Sequence, residues 1–249
     1  MSRQALKRIS MVDMKMCDEM DLGSLGIHIH FDEQDIMKAS AMIIGPQGTP
    51  YEDGILFFRI RFPSDYPFSP PKVSYISTSR LRIHPNLYVG KSTTNYEGKV
   101  CLSSLNTWSG PKWTSAMNIG SILITLQSIL DENPLRNEPG YEEAGLPTKN
   151  GSATKLLNQT YNLIVQHDTF KNLILKNSQE ALSEDTECFR SAIQQHIAQR
   201  LPDILKNGQR MNTACPKPYV ASVGTYHLNE RLDFPIVYQK LRSLSHGEI

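Results

Sequence analysis

The 249-residue chain has no Cys-x-x-Cys pair and no Cys/His spacing of a zinc site. Its four cysteines, Cys17, Cys101, Cys188 and Cys215, are scattered, which favours free thiols in a reducing compartment over a disulfide scaffold. The longest apolar stretches, such as the one around residues 122–130, are broken by Thr125, Gln127 and Ser128. None approaches the roughly 18 residues of a membrane span. Charge of one sign is also missing. With 26 Lys and Arg against 25 Asp and Glu the net charge is +1, so no bulk electrostatic argument points to nucleic acid or a membrane surface. The start, MSRQALKRIS, is basic but runs into Asp13, Asp18 and Glu19, and does not read as a signal peptide. There is no internal repeat and no low-complexity tract. What is present is ordinary: 39% hydrophobic and 20% charged residues, enough for a core in one domain, or one domain plus an appendage.

Hydrophobic spacing gives the elements. Ala5, Ile9, Val12, Met16 and Met20 predict an amphipathic helix over residues 2–20. Ile27, Ile29 and Phe31 alternate with His28 and His30, which reads as a strand. Further strands are expected over 36–44, 54–62 and 72–76, with Leu56, Phe58, Ile60 and Phe62 on one face of the third. Residues 77–113 are irregular. A helix is expected over 114–131, closed by Asn133-Pro134 and the turn at Glu138-Pro139-Gly140. Helices follow over 152–167, with a short one to 175, and over 184–206, bent at Pro202. From 207 the chain reads as loop, with a last helix near 236–244. Four closely spaced strands behind one helix predict an α+β fold built on a four-stranded antiparallel meander. The N-terminal helix precedes it, a central crossover helix follows, and helices end the chain.

Chemistry concentrates in the irregular stretch. Cys101 lies in GKVCLSSL, His84-Pro85-Asn86 stands upstream with residues 87–100 between, and a proline-rich run occupies 48–73. A long loop with a reactive side chain is a usual place for function. No histidine-carboxylate pair stands near Cys101 in a recognisable motif, and His84, His167 and His196 are the histidines a hydrolase would have to use. The cysteine therefore reads as a thiol that accepts and passes on an acyl group.

The segments GPQGTPYEDGILFFRIRFPSDYPFSPPKV, HPN, KVCLSSL and Trp113 together resemble the ubiquitin-conjugating enzyme family, over about residues 1–145. LNTWSGPKW, ENPLRNEPGYEE and YNLIVQHDTF are similar to its large Z-type class, which carries a C-terminal extension. The resemblance implies a core over 1–168 and a helical extension over 169–249, packed on or beside it. It implies a modifier, ubiquitin or ubiquitin-like, held as a thioester on Cys101 and passed to lysine amines. The expected partners are an activating enzyme, a ubiquitin ligase and substrate lysines. Neither a metal nor a small cofactor is expected, since ATP is consumed by the activating enzyme. The location expected is cytoplasmic, with the nucleus also open.

Roles carry over residue by residue. Asn86 supports the oxyanion or holds the loop that does, His84 packs and hydrogen-bonds, and Pro85 fixes the backbone ahead of Asn86. Trp113 packs under the active-site loop. The family usually places an aspartate in the gate after the central helix. It is missing here, leaving Glu138 as the first candidate and Asn137 as the second, with Arg136 opposing a lysine's approach. A polar insertion, Val89 to Asn95, lengthens the path from Asn86 to Cys101. Arg3, Lys7 and Arg8 resemble the face that meets the activating enzyme, Phe68, Ser115 and Ala116 the two loops that dock a ligase, and Ile124 the contact for the donor modifier. The rival readings are a non-catalytic adaptor with the same fold and a cysteine hydrolase.

Overall fold

The computed structural model describes residues 3–90, 97–179 and 186–246. The chain opens with one helical run, α1, formed by α-helical Arg3–Arg8, π-helical Ile9–Asp13 and α-helical Met14–Glu19. Ala5 and Ile9 face the core as the spacing predicts, but after the π-helical stretch the buried positions are Asp13 and Cys17, while Val12 is exposed and Met16 and Met20 are half-buried. The π-helical stretch ends on Asp13, which is fully buried and serves as a hub. One of its oxygens accepts from the Tyr66 hydroxyl at 2.6 Å and from the Ile119 amide at 2.9 Å, and the other from Arg8 Nε at 3.2 Å. A buried carboxylate is tolerated only when it is satisfied in this way.

Strands β1 (Ile27–Phe31), β2 (Lys38–Ile44), β3 (Ile55–Arg61) and β4 (Lys72–Ile76) pair in sequence order, all antiparallel. The sheet has a fifth strand that the expected meander lacked, β5 (Glu97–Lys99). Its three residues, Glu-Gly-Lys, carry no apolar alternation. Pairing with β4 and the grip of Arg59 and Arg61 on Glu97, at 2.8 and 2.9 Å, create it. The insertion expected at Val89 to Asn95 falls, from residue 91 on, outside the described residues. The central helix, α2 (Ile119–Ser128), starts later than predicted, because the Asn118 side chain caps it by accepting from the Ser121 amide at 2.9 Å.

The second half differs more from expectation. Helix α3 (Lys155–Asp168) continues without a break as π-helical Thr169–Lys176 and α-helical Asn177–Gln179, so position 168 lies inside a helical run. Helix α4 (Arg190–Ala214) runs through Pro202 and well past 206. The tail is not loop-like: β6 (Tyr219–Val223) and β7 (Leu228–Leu232) form an antiparallel hairpin before α5 (Phe234–Ser243).

These elements explain why β2 and β3 are buried on both faces, whereas a solitary meander would leave one face wet. On one face Phe58 packs on Tyr75. On the other, Phe57 stacks on Phe189, with centroids 6.3 Å apart, and the Asn177 amide donates to the Ile55 carbonyl at 2.8 Å. Arg200 holds Asp53 at 3.0 Å, tying α4 to the turn between β2 and β3. Burial of one aromatic such as Phe57 contributes about 1.5–3 kcal/mol. One continuous hydrophobic cluster runs from Ala5 to Leu244.

Candidate active site

Cys101 lies two residues past the end of β5, and the His84-Pro85-Asn86 turn folds back against it. Two hydrogen bonds join the segments: the Cys101 amide donates to the Asn86 carbonyl at 2.9 Å, and Asn86 Nδ2 donates to the Cys101 carbonyl at 2.6 Å. Asn86 is itself buried, and its Oδ1 has no hydrogen-bond partner among the described residues. The turn is fixed from within. The Asn86 amide donates to His84 Nδ1 at 3.0 Å, which leaves the ring proton on Nε2, facing the Ile129 carbonyl at 2.8 Å. Both ring nitrogens are therefore engaged. Burial holds the imidazole neutral, with its pKa lowered to about 3. His84 ties the turn to the end of the central helix and has no nitrogen left to serve as a base. The Pro85 carbonyl accepts from Arg82 Nη2 at 2.6 Å.

The Cys101 residue is only 2% exposed, tighter than a docking thiol leads one to expect, although its cover is thin. Burial pushes the thiol pKa up, and the positive charges of Lys99 and Arg82 partly oppose this. The thiol is thus mostly protonated near neutrality. Gly98, in β5, passes so close to the Tyr88 carbonyl that a Cβ would sit 1.5 Å from its oxygen, so only glycine fits. That approach seats Tyr88 beside Arg82, whose guanidinium lies 3.7 Å from the ring centroid.

The gate follows the central helix. Pro134–Asn137 form a single tight turn after α2, and Glu138 follows it, half-buried. Its carboxylate accepts from the Tyr226 hydroxyl at 2.5 Å. Asn137 is turned elsewhere, with Nδ2 donating to the Pro134 carbonyl at 3.2 Å. Arg136 is turned to the Ala144 carbonyl, to which its Nε donates at 2.9 Å. The sequence held no sign of Tyr226, 88 residues from its partner.

A ubiquitin-conjugating enzyme family model matches residues 12–160. The chain belongs to that family. Among curated relatives it is similar to "Ubiquitin-conjugating enzyme E2 Z" of Danio rerio, 38% identical over 172 residues, which are 68% of this chain and 47% of that one. It is also similar to "Probable ubiquitin-conjugating enzyme E2 26" of Arabidopsis thaliana, 32% identical over 92% of this chain and 39% of that one. The chain therefore spans about half or less of the length of the curated relatives it matches. A solved E2 domain of a Toxoplasma gondii ubiquitin conjugating enzyme is 24% identical, with a TM-score of 0.45, over 64% of this chain and 98% of that one.

Of the positions that the family resemblance linked to partners, Phe68 is 66% exposed, and Ser115 and Ala116 lie at the surface nearby in the fold. Trp113 connects these two loops: its Nε1 donates to the Pro67 carbonyl at 2.7 Å while its amide donates to Asn106 Oδ1 at 3.1 Å. Ile124 is half-buried on α2. Arg3 and Lys7 are exposed, but Arg8 is not part of an open basic face. It donates to the Ser115 and Met117 carbonyls at 3.0 and 2.7 Å and pairs with Asp13, clamping α1 to the loop ahead of α2. That use was invisible in sequence, since the partners lie more than a hundred residues away. No helix among the described residues is long and apolar enough to cross a membrane.

Proposed function

We propose that this chain carries ubiquitin, or a ubiquitin-like modifier, as a thioester on Cys101 and transfers it to lysine amines, directly or with a ligase. The observation that carries the reading is the double hydrogen bond between Asn86 and Cys101, which puts a side-chain amide beside the residue that would hold the acyl group. In the first step the Cys101 thiolate attacks the modifier's thioester carbonyl on the activating enzyme, and that enzyme's thiolate leaves. ATP is used there and not here. A mostly protonated thiol suits this chemistry, because enough thiolate remains for exchange and a weakly activated surrounding does not hydrolyse the stored bond.

In the second step a lysine amine, normally protonated with a pKa near 10.4, must lose a proton before attack. Its nitrogen bonds to the thioester carbon, the carbon–sulfur bond breaks, the amine proton passes to solvent, and sulfur keeps the electron pair. Negative charge grows on the carbonyl oxygen between these events. The second N–H of Asn86 Nδ2 stabilises it; a side-chain amide donor in such a role is worth about 3 kcal/mol. Glu138 draws in the lysine and favours its alignment. His84 and Pro85 hold the turn. Phe68 with Ser115 and Ala116 receives the ligase, Arg3 and Lys7 meet the activating enzyme, and Ile124 is the contact for the donor modifier.

One observation favours the adaptor reading, the near-complete burial of Cys101. Incubation with activating enzyme, ATP and ubiquitin, followed by a non-reducing gel, separates the two. The enzyme gives a reducible band that Cys101→Ala abolishes; absence of any such band in the wild-type chain, across several activating enzymes and modifiers, rejects the proposal.

A further inference from the structure

Tyr226 sits in the tight turn that joins β6 to β7, at φ 66°, a left-handed conformation that non-glycine residues seldom adopt. His227 beside it is also left-handed, at φ 53°. Such strain of about 1–3 kcal/mol per residue persists only where surrounding contacts over-determine it. The contacts here run to both walls of the site. The phenol donates to Glu138 at 2.5 Å, and among the described residues it is the only hydrogen-bond partner of that carboxylate. The same ring lies 4.4 Å from the Arg82 guanidinium, which is also 3.7 Å from the Tyr88 ring. Arg82 in turn supports the Pro85 carbonyl and bears electrostatically on Cys101. Tyr161 backs the arrangement, its ring 5.9 Å from Tyr226 and its hydroxyl donating to the Arg82 carbonyl at 2.9 Å. Thr225 adds a second tie to the gate, donating to the Tyr141 hydroxyl at 3.0 Å.

From these contacts we infer that Tyr226 is a positioning residue for transfer to the amine, and that the C-terminal hairpin thereby completes the active site. The phenol fixes one oxygen of Glu138 and leaves the other for the incoming ammonium. A half-buried carboxylate with a single restraint keeps its orientation only while that restraint holds, so the hairpin, and not the gate alone, sets where a lysine is received. The inference rests on the proposed function: the lysine nitrogen bonds to the thioester carbon as the carbon–sulfur bond breaks, its proton going to solvent and the electron pair to Cys101.

The test is single-turnover discharge of the full chain, loaded with ubiquitin, to free lysine over a range of lysine concentrations. Tyr226→Phe keeps the ring over Arg82 and removes only the hydroxyl, so melting and charging should match wild type. Discharge should slow about fivefold, chiefly as a higher half-saturating lysine concentration. Glu138→Gln should slow it about tenfold, and the double variant no further than Glu138→Gln alone, because the phenol acts through that carboxylate. Wild-type discharge by Tyr226→Phe beside a slow Glu138→Gln overturns this inference and leaves the proposed function standing. Multiplicative losses in the double variant, about fiftyfold, also overturn it, because the hydroxyl would then act elsewhere. Failure of the wild-type chain to form any thioester overturns the proposed function and this inference together.

Discussion

The two walls of the site are held in different ways. On the cysteine wall, Asn86 and Cys101 exchange two hydrogen bonds, and the buried ring of His84 pins the turn to the end of the central helix. His84, Asn86 and Cys101 are all buried, and among the described residues only the Asn86 Oδ1 lacks a partner in this network. On the gate wall a half-exposed carboxylate hangs on one phenol from a hairpin turn far along the chain. Buried networks are all-or-none, since breaking one member leaves polar groups unpaired, whereas a singly tethered surface group can move without unfolding anything. In the proposed reaction the cysteine wall should therefore tolerate little substitution, whereas the gate should be adjustable.

The sharpest test of this contrast is Asn86→Ala. Loss of the amide should slow transfer to lysine about 100-fold, in keeping with about 3 kcal/mol for such a donor. Charging should slow less than about tenfold, the share of the lost bond to the Cys101 carbonyl. Single-turnover charging and discharge measure both, and equal losses would make Asn86 scaffolding only.

Acid should strike the cysteine wall next. His84 has a folded pKa of about 3, below an ordinary value of 6.5, so the native state resists its protonation and the unfolded state does not. Its contribution to stability is complete above about pH 6.5 and is lost as pH falls below that, at about 1.4 kcal/mol per unit. His167, lowered to about 4, acts in the same direction, while the buried Asp168, raised to about 6, acts oppositely and offsets it over part of the window. Urea unfolding between pH 7 and 4 gives the slope, and imidazole NMR should show no titration of His84 above pH 4. A ring titrating near 6.5 would mean that the turn is open to water.

Glu138→Gln, on the other wall, should leave charging and stability unchanged and slow discharge to lysine about tenfold, the scale of one hydrogen bond to a charged group. Wild-type discharge would empty the gate of its role. The smallest effect belongs to Lys99→Gln. Removing one positive charge near the thiol should slow alkylation of Cys101 about two- to threefold at pH 7.5, the scale of one screened charge pair. No change would show that Lys99 does not influence the thiol.

Legibility in the sequence follows the same division. Strands β1 to β4 and the helices around them showed themselves by local periodicity, and Cys101 with Asn86 showed itself by motif. Glu138 stands out only through the family resemblance, as the first acidic candidate in the gate after the central helix. What escaped depended on distant partners. β5 has no apolar pattern and exists through Arg59, Arg61 and β4. The hairpin was hidden because its two runs are only five residues each and are joined by a turn whose tyrosine adopts a glycine-like conformation. Arg8 looked like surface charge because nothing local tells that two carbonyls await it. Thiol burial at Cys101 also has no local signature.

The second covering of the sheet bears on how this molecule can be handled. A version ending at residue 168 would bare Ile55, Phe57 and the flank of Gly54, against which Thr169 and Leu173 now press. Such a fragment would carry a greasy plane along its two middle strands, ready to stick to its own copies. The half that bears the motif is thus not a detachable tool.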